Sequence, residues 1–227
     1  MYLATVASTV QEALKEYMDL IIRTESRVIS HDSALVQNDQ GFVPLSSLVA
    51  VFAHWQAPMA ALEDLVQTLC SPPDSNDYDF WTPGMVIDLV AERAQTGYSH
   101  IASIFTSIDT ALHSLWLTHL TSFLLFGAAL LPSKITPTSP SLALDMGPDP
   151  LSPRHRSYEL DPTMIPSDIS HRTRESILYT GRVAATLQRE GRQLPKLLIA
   201  GLREELLSCS KGDLAKVVDR ARLDIGE

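Results

Sequence analysis

No Asp, Glu, Lys or Arg stands between Asp109 and Lys134, a run of 24 residues reading TALHSLWLTHLTSFLLFGAALLPS. A charge-free run of that length is long enough to cross the hydrocarbon of a bilayer as a helix. It can also be the buried helix of a large domain, or a helix covered by a partner. Three details favour the protein interior. Thr110, Ser114, Thr118 and Thr121 or Ser122 recur at helical steps and make a thin polar stripe. His113 and His119 lower the hydropathy further, and neither flank carries the clustered Lys/Arg that fixes the orientation of a span. The stretch is therefore read as a buried helix, no membrane span is expected, and a membrane-associated helical protein spanning 110–133 is the alternative.

The rest of the chain reads as helical almost throughout. Leu3, Val6, Val10, Leu14, Tyr17 and Ile21 follow at steps of three and four, which places them on one helical stripe that fades before His31. HDSALVQNDQG after it reads as a loop. A second helix is expected from about Pro44 to Cys70, with Pro58 kinking or splitting it. Ser71–Asp79 is a turn-rich, acidic connector. Thr82-Pro83 supplies an N-cap followed by a proline at the first helical position. Gly97 marks a break, and a long helix follows with Ile101, Ile104, Ile108, Leu112, Leu115, His119 and Phe123 on one side.

Six prolines fall between Pro132 and Pro153, with Ser and Thr among them. This composition predicts a linker or an extended surface loop rather than a packed element. Helical signal resumes from about Ser167 to Glu190, with Gly191 as its stop. A further helix covers Leu194–Leu207, Ser210 with Asp213 fits a capping box, and a last helix carries Leu214, Val217, Val218 and Ala221 on one face. No period-2 strand, hairpin signal or fixed-period repeat is read. The expected class is all-α: an elongated, bundle-like stack of about seven helices. The expected organisation is a helical bundle over 1–131, a Pro/Ser-rich loop or linker over 132–157, and a continuing helical segment over 158–227.

Little in the sequence suggests chemistry. Cys70 and Cys209 are the only cysteines and form no metal-ligand spacing. His113 and His119 are six residues apart, so on a helix their directions differ by roughly 120° and they cannot share a metal as an i, i+4 pair can. No G-x-S-x-G, P-loop or G-x-G-x-x-G is present. No catalytic, cofactor-binding or metal-ligating residues are assigned, no cofactor is expected, and the chain is not expected to be an enzyme. There is no N-x-S/T site, and Met1–Val10 lacks the pattern of a secretory leader.

Charge is unevenly spread. Residues 1–100 hold 13 acids against four Lys/Arg, whereas residues 101–227 hold 14 of each. The acidic first part argues against a nucleic-acid partner, which needs a dense cationic surface. Arg154, Arg156, Arg172, Arg174, Arg182, Arg189 and Arg192 form a locally basic run. It reads as a solvated face with ion pairs, as an electrostatic match to an acidic partner surface such as the first part of a neighbouring copy or paralogue, or, third, as a phosphate-binding run.

Two segments resemble one family. HLTSFLLFGAALL, from His119 to Leu131, is similar to a segment of gamma-tubulin complex components that reads approximately Q-L-S-A, two hydrophobics, L-H-G. From Tyr158 to Val183, the residues Tyr158, Leu160, Ile165-Pro166-Ser167, Ile169, Ile177-Leu178-Tyr179 and Gly181 match the family pattern of an F-x-L, an L-P-S entry and a helix bearing K-I-L and G. Phe52–Leu69 and DLAKVVDRAR from Asp213 to Arg222 are weaker echoes. Phe126 stands where the family often has His, Ser176 where Lys or Arg is usual, and the Pro-rich stretch replaces an acidic E-F-F segment.

The resemblance implies a scaffold rather than a catalyst. It implies lateral contacts with other gamma-tubulin complex components through an N-terminal half like this one. Gamma-tubulin itself would be held by a C-terminal half that these residues do not include. It implies a cytoplasmic, cytoskeletal setting at microtubule organising centres or spindle poles. A generic all-α adaptor is the remaining alternative. The family reading requires that Leu120–Leu131 and Ile165–Gly181 pack together as one core.

Overall fold

The computed structural model describes residues 1–35, 42–71, 80–134, 140–149, 152–192 and 194–226. Most of the acidic connector read at Ser71–Asp79 and the end of the loop after His31 lie outside these residues. The described chain carries seven α-helices, and the all-α class holds. They are α1 (Tyr2–Ile29), α2 (Leu45–Cys70), α3 (Pro83–Ala94), α4 (Ser99–Phe126), α5 (His171–Arg189), α6 (Lys196–Leu207) and α7 (Leu214–Gly226). The residues group into two compact units. The first comprises Leu3–Trp81 and Val90–Asp109; the second comprises Met1–Tyr2, Thr82–Leu89 and Thr110–Glu227.

In the first unit, α1 buries Val6, Thr9, Val10, Ala13 and Thr24. This stripe is turned by roughly 50° from the one the sequence suggests. Leu3 and Leu14, expected inside, are exposed, and Met18, Ile22 and Ile29 join them on the outside. The expected phase followed the large aliphatics; in the observed one Thr9, Ala13 and Thr24 are buried in place of Leu3 and Leu14, while Tyr17, common to both, packs against Phe52 and Trp55 of α2 at 6.0 and 5.4 Å between ring centroids. Small Ala13 and the threonines fit against this side. The threonine hydroxyls donate to the carbonyls of Thr5 and Leu20 one turn back, so they need no other partner.

Helix α2 runs through Pro58 without being split. A mid-helix proline has no N–H for the carbonyl four residues earlier, here that of His54. The Nδ1 of His100 on α4 lies 3.4 Å from that carbonyl oxygen and donates to it. The His100 ring also meets Trp55 edge-on at 4.7 Å. On α3, Arg93 pairs with Asp64 and donates to the Thr68 hydroxyl, tying α3 to α2 within this unit.

In the second unit, Thr82 caps α3 as expected, accepting from the Met85 N–H at its hydroxyl and from the Val86 N–H at its carbonyl. Helix α5 starts one turn later than the sequence suggests, because Ser170 rather than Ser167 is its N-cap and accepts from the Thr173 N–H. The Ser167 N–H is instead held by the Asp88 carboxylate of α3, at 3.0 and 3.2 Å. The capping box at Ser210 and Asp213 is not formed. Helix α7 begins only at Leu214, and the Ser210 hydroxyl donates to the Asp213 carboxylate, which also receives Lys216.

The reading of no strand is corrected by an antiparallel hairpin, β1 (Ala143–Asp149) with β2 (Ser152–Leu160), inside the Pro-rich region. Both strands of a two-stranded ribbon are edges, so Pro148 and Pro153 remove few ladder bonds. The register shifts between Asp145 and Gly147 and again between Pro148 and Asp149, which hides any alternation of polar and apolar residues. Arg156 and Asp145 pair across the strands at 2.7 Å, and Leu142, Ala143 and Tyr158 are buried.

Candidate functional site

The charge-free stretch is a helix only as far as Phe126. Its side chains Leu112, Trp116, Leu117, Leu120, Phe123 and Leu124 are each no more than 1% exposed. Protein, not lipid, covers that surface, so the alternative of a span over 110–133 loses its ground. The thin polar stripe is satisfied locally: Thr118 and Thr121 donate to the carbonyls of Ser114 and Leu117. Among the described residues, the one helix long and apolar enough to cross a membrane is α2, by length and composition only.

The two segments that carry the resemblance meet in the second unit. Gly181, on α5, lies against the ring of Phe123 on α4. A Cβ added at Gly181 would come within 2.3 Å of that ring, so only glycine lets the helices approach this closely. Gly127 ends α4 in the left-handed region at φ 57°, its N–H bonded to the Phe123 carbonyl at 2.8 Å. A Cβ there would lie 2.3 Å from the Ala185 backbone of α5. Trp116 Nε1 donates to the Met164 carbonyl at 2.9 Å, fixing the Ile165-Pro166-Ser167 entry against α4. At both motif glycines α4 and α5 are in direct contact. Leu120–Leu131 and Ile165–Gly181 do pack as one core.

The far end of this core is closed by α6 and α7. Leu125 joins Leu202, Ala221 and Ile225 in a buried cluster, with Val183 and Leu198 against it. Ser176, where the family usually has a long cation, is fully buried and donates to Asp219 of α7 at 2.9 Å. The short side chain is what lets α7 lie close to α5 here.

A cavity of about 160 Å³ opens between these elements, floored by Ile87, Trp116, Ile169 and Leu214. Two hydroxyls on its wall, Ser170 and Thr173, bond each other at 2.9 Å, and Ser170 also caps α5. They are engaged in the helix start rather than poised for a substrate. His113 stacks on Trp116 and His119 on Tyr2, at 6.1 and 5.9 Å, so the two rings serve different aromatic neighbours. Burial holds the His119 imidazole below its usual pKa and lifts the Tyr2 phenol well above its own. Neither His119 Nε2 nor the Tyr2 hydroxyl has a hydrogen-bond partner among the described residues. No group of three or more His, Cys, Asp or Glu that could hold a metal occurs among them.

The exposed surface carries what the interior does not. The outer face of α1 shows Leu3, Leu14, Met18, Ile22 and Ile29, and the outer face of α5 shows Arg172, Tyr179, Arg182 and Arg189. Arg222 of α7 lies over the Tyr179 ring at 4.9 Å from its centroid. The basic run was legible in the sequence. The second apolar stripe of α1 was not, because it emerges only once the first is correctly phased.

No curated protein sequence matches the chain. A family model described as gamma tubulin complex component N-terminal matches residues 1–225, nearly the whole length and including both segments that meet at Gly127 and Gly181. The chain belongs to the gamma-tubulin complex component family, as its N-terminal domain.

Proposed function

We propose that the protein is a structural subunit of the gamma-tubulin complex, most like gamma-tubulin complex component 4. In this reading it lines up laterally with sister components, and the row so formed templates microtubule nucleation at organising centres. It contributes surfaces and stiffness rather than catalysis. Gamma-tubulin would be held by the C-terminal half that accompanies such a domain, and reach this one only through the assembly.

The observation that carries the proposal is the family match over residues 1–225. Two features agree with it. Two hydroxyls that line the cavity of about 160 Å³, those of Ser170 and Thr173, are engaged in the start of α5. The resemblance to component 4 rests on DLAKVVDRAR, where Asp219 and Arg222 reach Ser176 and Tyr179 and so help seat α7 on α5. The division into 1–131, 132–157 and 158–227 remains part of the proposal, with the hairpin of β1 and β2 as its middle section.

The test is recovery of partners. The tagged chain expressed in cells is expected to bring down gamma-tubulin complex components and to concentrate at microtubule organising centres. Recovery of none of these components, with the chain folded and expressed, would overturn the proposal.

A further inference from the structure

Four hydroxyl side chains in the sequence have an arginine three residues before them: Ser26, Ser30, Thr96 and Ser157. Arginine at that position is what basic-directed serine/threonine kinases select, because it meets acidic groups beside their active site. The backbone must be extended to reach both places at once. Three residues advance about 4.5 Å in a helix and about 10 Å in a strand. Ser26 lies within α1, and Arg23 donates to the Asp19 carbonyl of the same helix. Ser30 continues that helix, its N–H on the Ser26 carbonyl, and Arg27 is paired with Asp32. Thr96 accepts from the Tyr98 N–H, and Arg93 is held by Asp64 and Thr68 of α2. None of these three presents its hydroxyl and its arginine in the form such a kinase takes.

Ser157 differs in its backbone. It lies inside β2, extended from Ser152 to Leu160, with Arg154 three residues before it and Arg156 next to it. Alternation along the strand sets buried Tyr158 on one side of the ribbon and Ser157 with exposed Glu159 on the other. Across the ribbon Ser157 stands opposite Gly147, where an added Cβ would meet nothing within 4 Å. The outer side of the hairpin is therefore open where a phosphate would stand. Asp145, opposite Tyr158, pairs with Arg156 on the other side. Among the described residues β2 has β1 as its only strand partner. A two-stranded ribbon opens at low cost, so this segment can leave its neighbour and enter a kinase cleft.

We propose that Ser157 is a phosphorylation site for a basic-directed serine/threonine kinase. The Ser157 Oγ attacks the γ-phosphorus of ATP and the bond from that phosphorus to the bridging β-phosphate oxygen breaks. ADP leaves, and the hydroxyl proton passes to the catalytic carboxylate of the kinase. The product carries a charge of about −1.5 to −2 at pH 7 on the outer side of the hairpin, beside Glu159. Tyr158 and the pair of Asp145 with Arg156 lie on the opposite side and keep their places. The modification thus changes the charge of this surface and leaves the helical core as it is.

The test is phosphopeptide mapping of the purified full chain after incubation with magnesium ATP and the catalytic subunit of the cyclic-AMP-dependent kinase. The folded chain is expected to take its phosphate at Ser157. Ser157→Ala is expected to abolish incorporation, and Arg154→Gln to slow it about tenfold or more, the loss of one charge-assisted contact to the kinase. The triple variant Ser26→Ala, Ser30→Ala, Thr96→Ala is expected to be phosphorylated at the wild-type rate. Circular dichroism melts matching the wild type establish that each variant is folded. No phosphate on the wild-type chain, a phosphate on Ser26, Ser30 or Thr96 in place of Ser157, or a rate unchanged by Arg154→Gln would each overturn the inference.

Discussion

Helices α4 and α1 both run for 28 residues, and they spend their apolar residues in opposite ways. From Leu112 to Leu125, α4 turns almost every large side chain inward, and its few hydroxyls are satisfied by its own carbonyls. Helix α1 carries charge from Glu12 onward and would pass for an ordinary amphipathic surface helix. Yet it buries a stripe of mostly small and β-branched residues and leaves five large hydrophobics outside. The difference teaches that absence of charge marks burial well, whereas surplus apolar surface hides best on a helix that has charge to spare.

The sharpest way to break this comparison is at the contact of Gly181 with Phe123 in the second unit. Gly181→Leu drives a side chain into the Phe123 ring, which is fully buried and has nowhere to turn. A loss of about 3 kcal/mol or more is expected in chemical denaturation. Gly181→Ala combined with Phe123→Leu should recover part of the loss of Gly181→Ala alone, giving a non-additive cycle. Additive single effects would mean that the two side chains do not meet.

A smaller effect is expected about two turns earlier on α4. Trp116→Phe keeps most of the ring but removes the donor to the Met164 carbonyl, and should cost about 1–3 kcal/mol. On the other side of the comparison, Met18→Gln and Ile22→Gln should each change stability by no more than about 0.5 kcal/mol, because both side chains are already in water. A large destabilisation there would show that α1's outer stripe is packed within the chain.

The smallest expected effect is on pH dependence. His119 is held below its usual pKa by burial. The unfolded chain therefore binds its proton first, and the contribution of neutral His119 is fully present above about pH 6.5 and lost as pH falls toward the folded value. His119→Gln should flatten that part of the stability profile. An unchanged slope would place the acid sensitivity elsewhere.

Much of this fold was legible because its signals are local. Thr82-Pro83 starts α3 and the 3.6-residue period holds across α4, so those elements follow from short-range chemistry. The pairing of α4 with α5 was legible only through resemblance, since nothing local says that Gly127 and Gly181 are contacts rather than breaks. Three features were not legible. The phase of α1 buries Thr9, Ala13 and Thr24 rather than Leu3 and Leu14, a choice made by packing across the chain and not by side-chain size. The hairpin is disguised by prolines that edge strands tolerate. The bond from Ser167 to Asp88 links residues 79 apart and moves the start of α5. The exposed surface was half legible: the arginine run was visible as charge, while the apolar stripe of α1 required its correct phase.

The proposal that this domain assembles with other subunits of the gamma-tubulin complex is tested most directly by quantitative recovery of those components with the tagged wild type, beside the destabilised Gly181→Leu at matched expression. The account predicts clear recovery by the wild type and its loss in the variant. Recovery of none of these components by the folded wild type would contradict the assembly role.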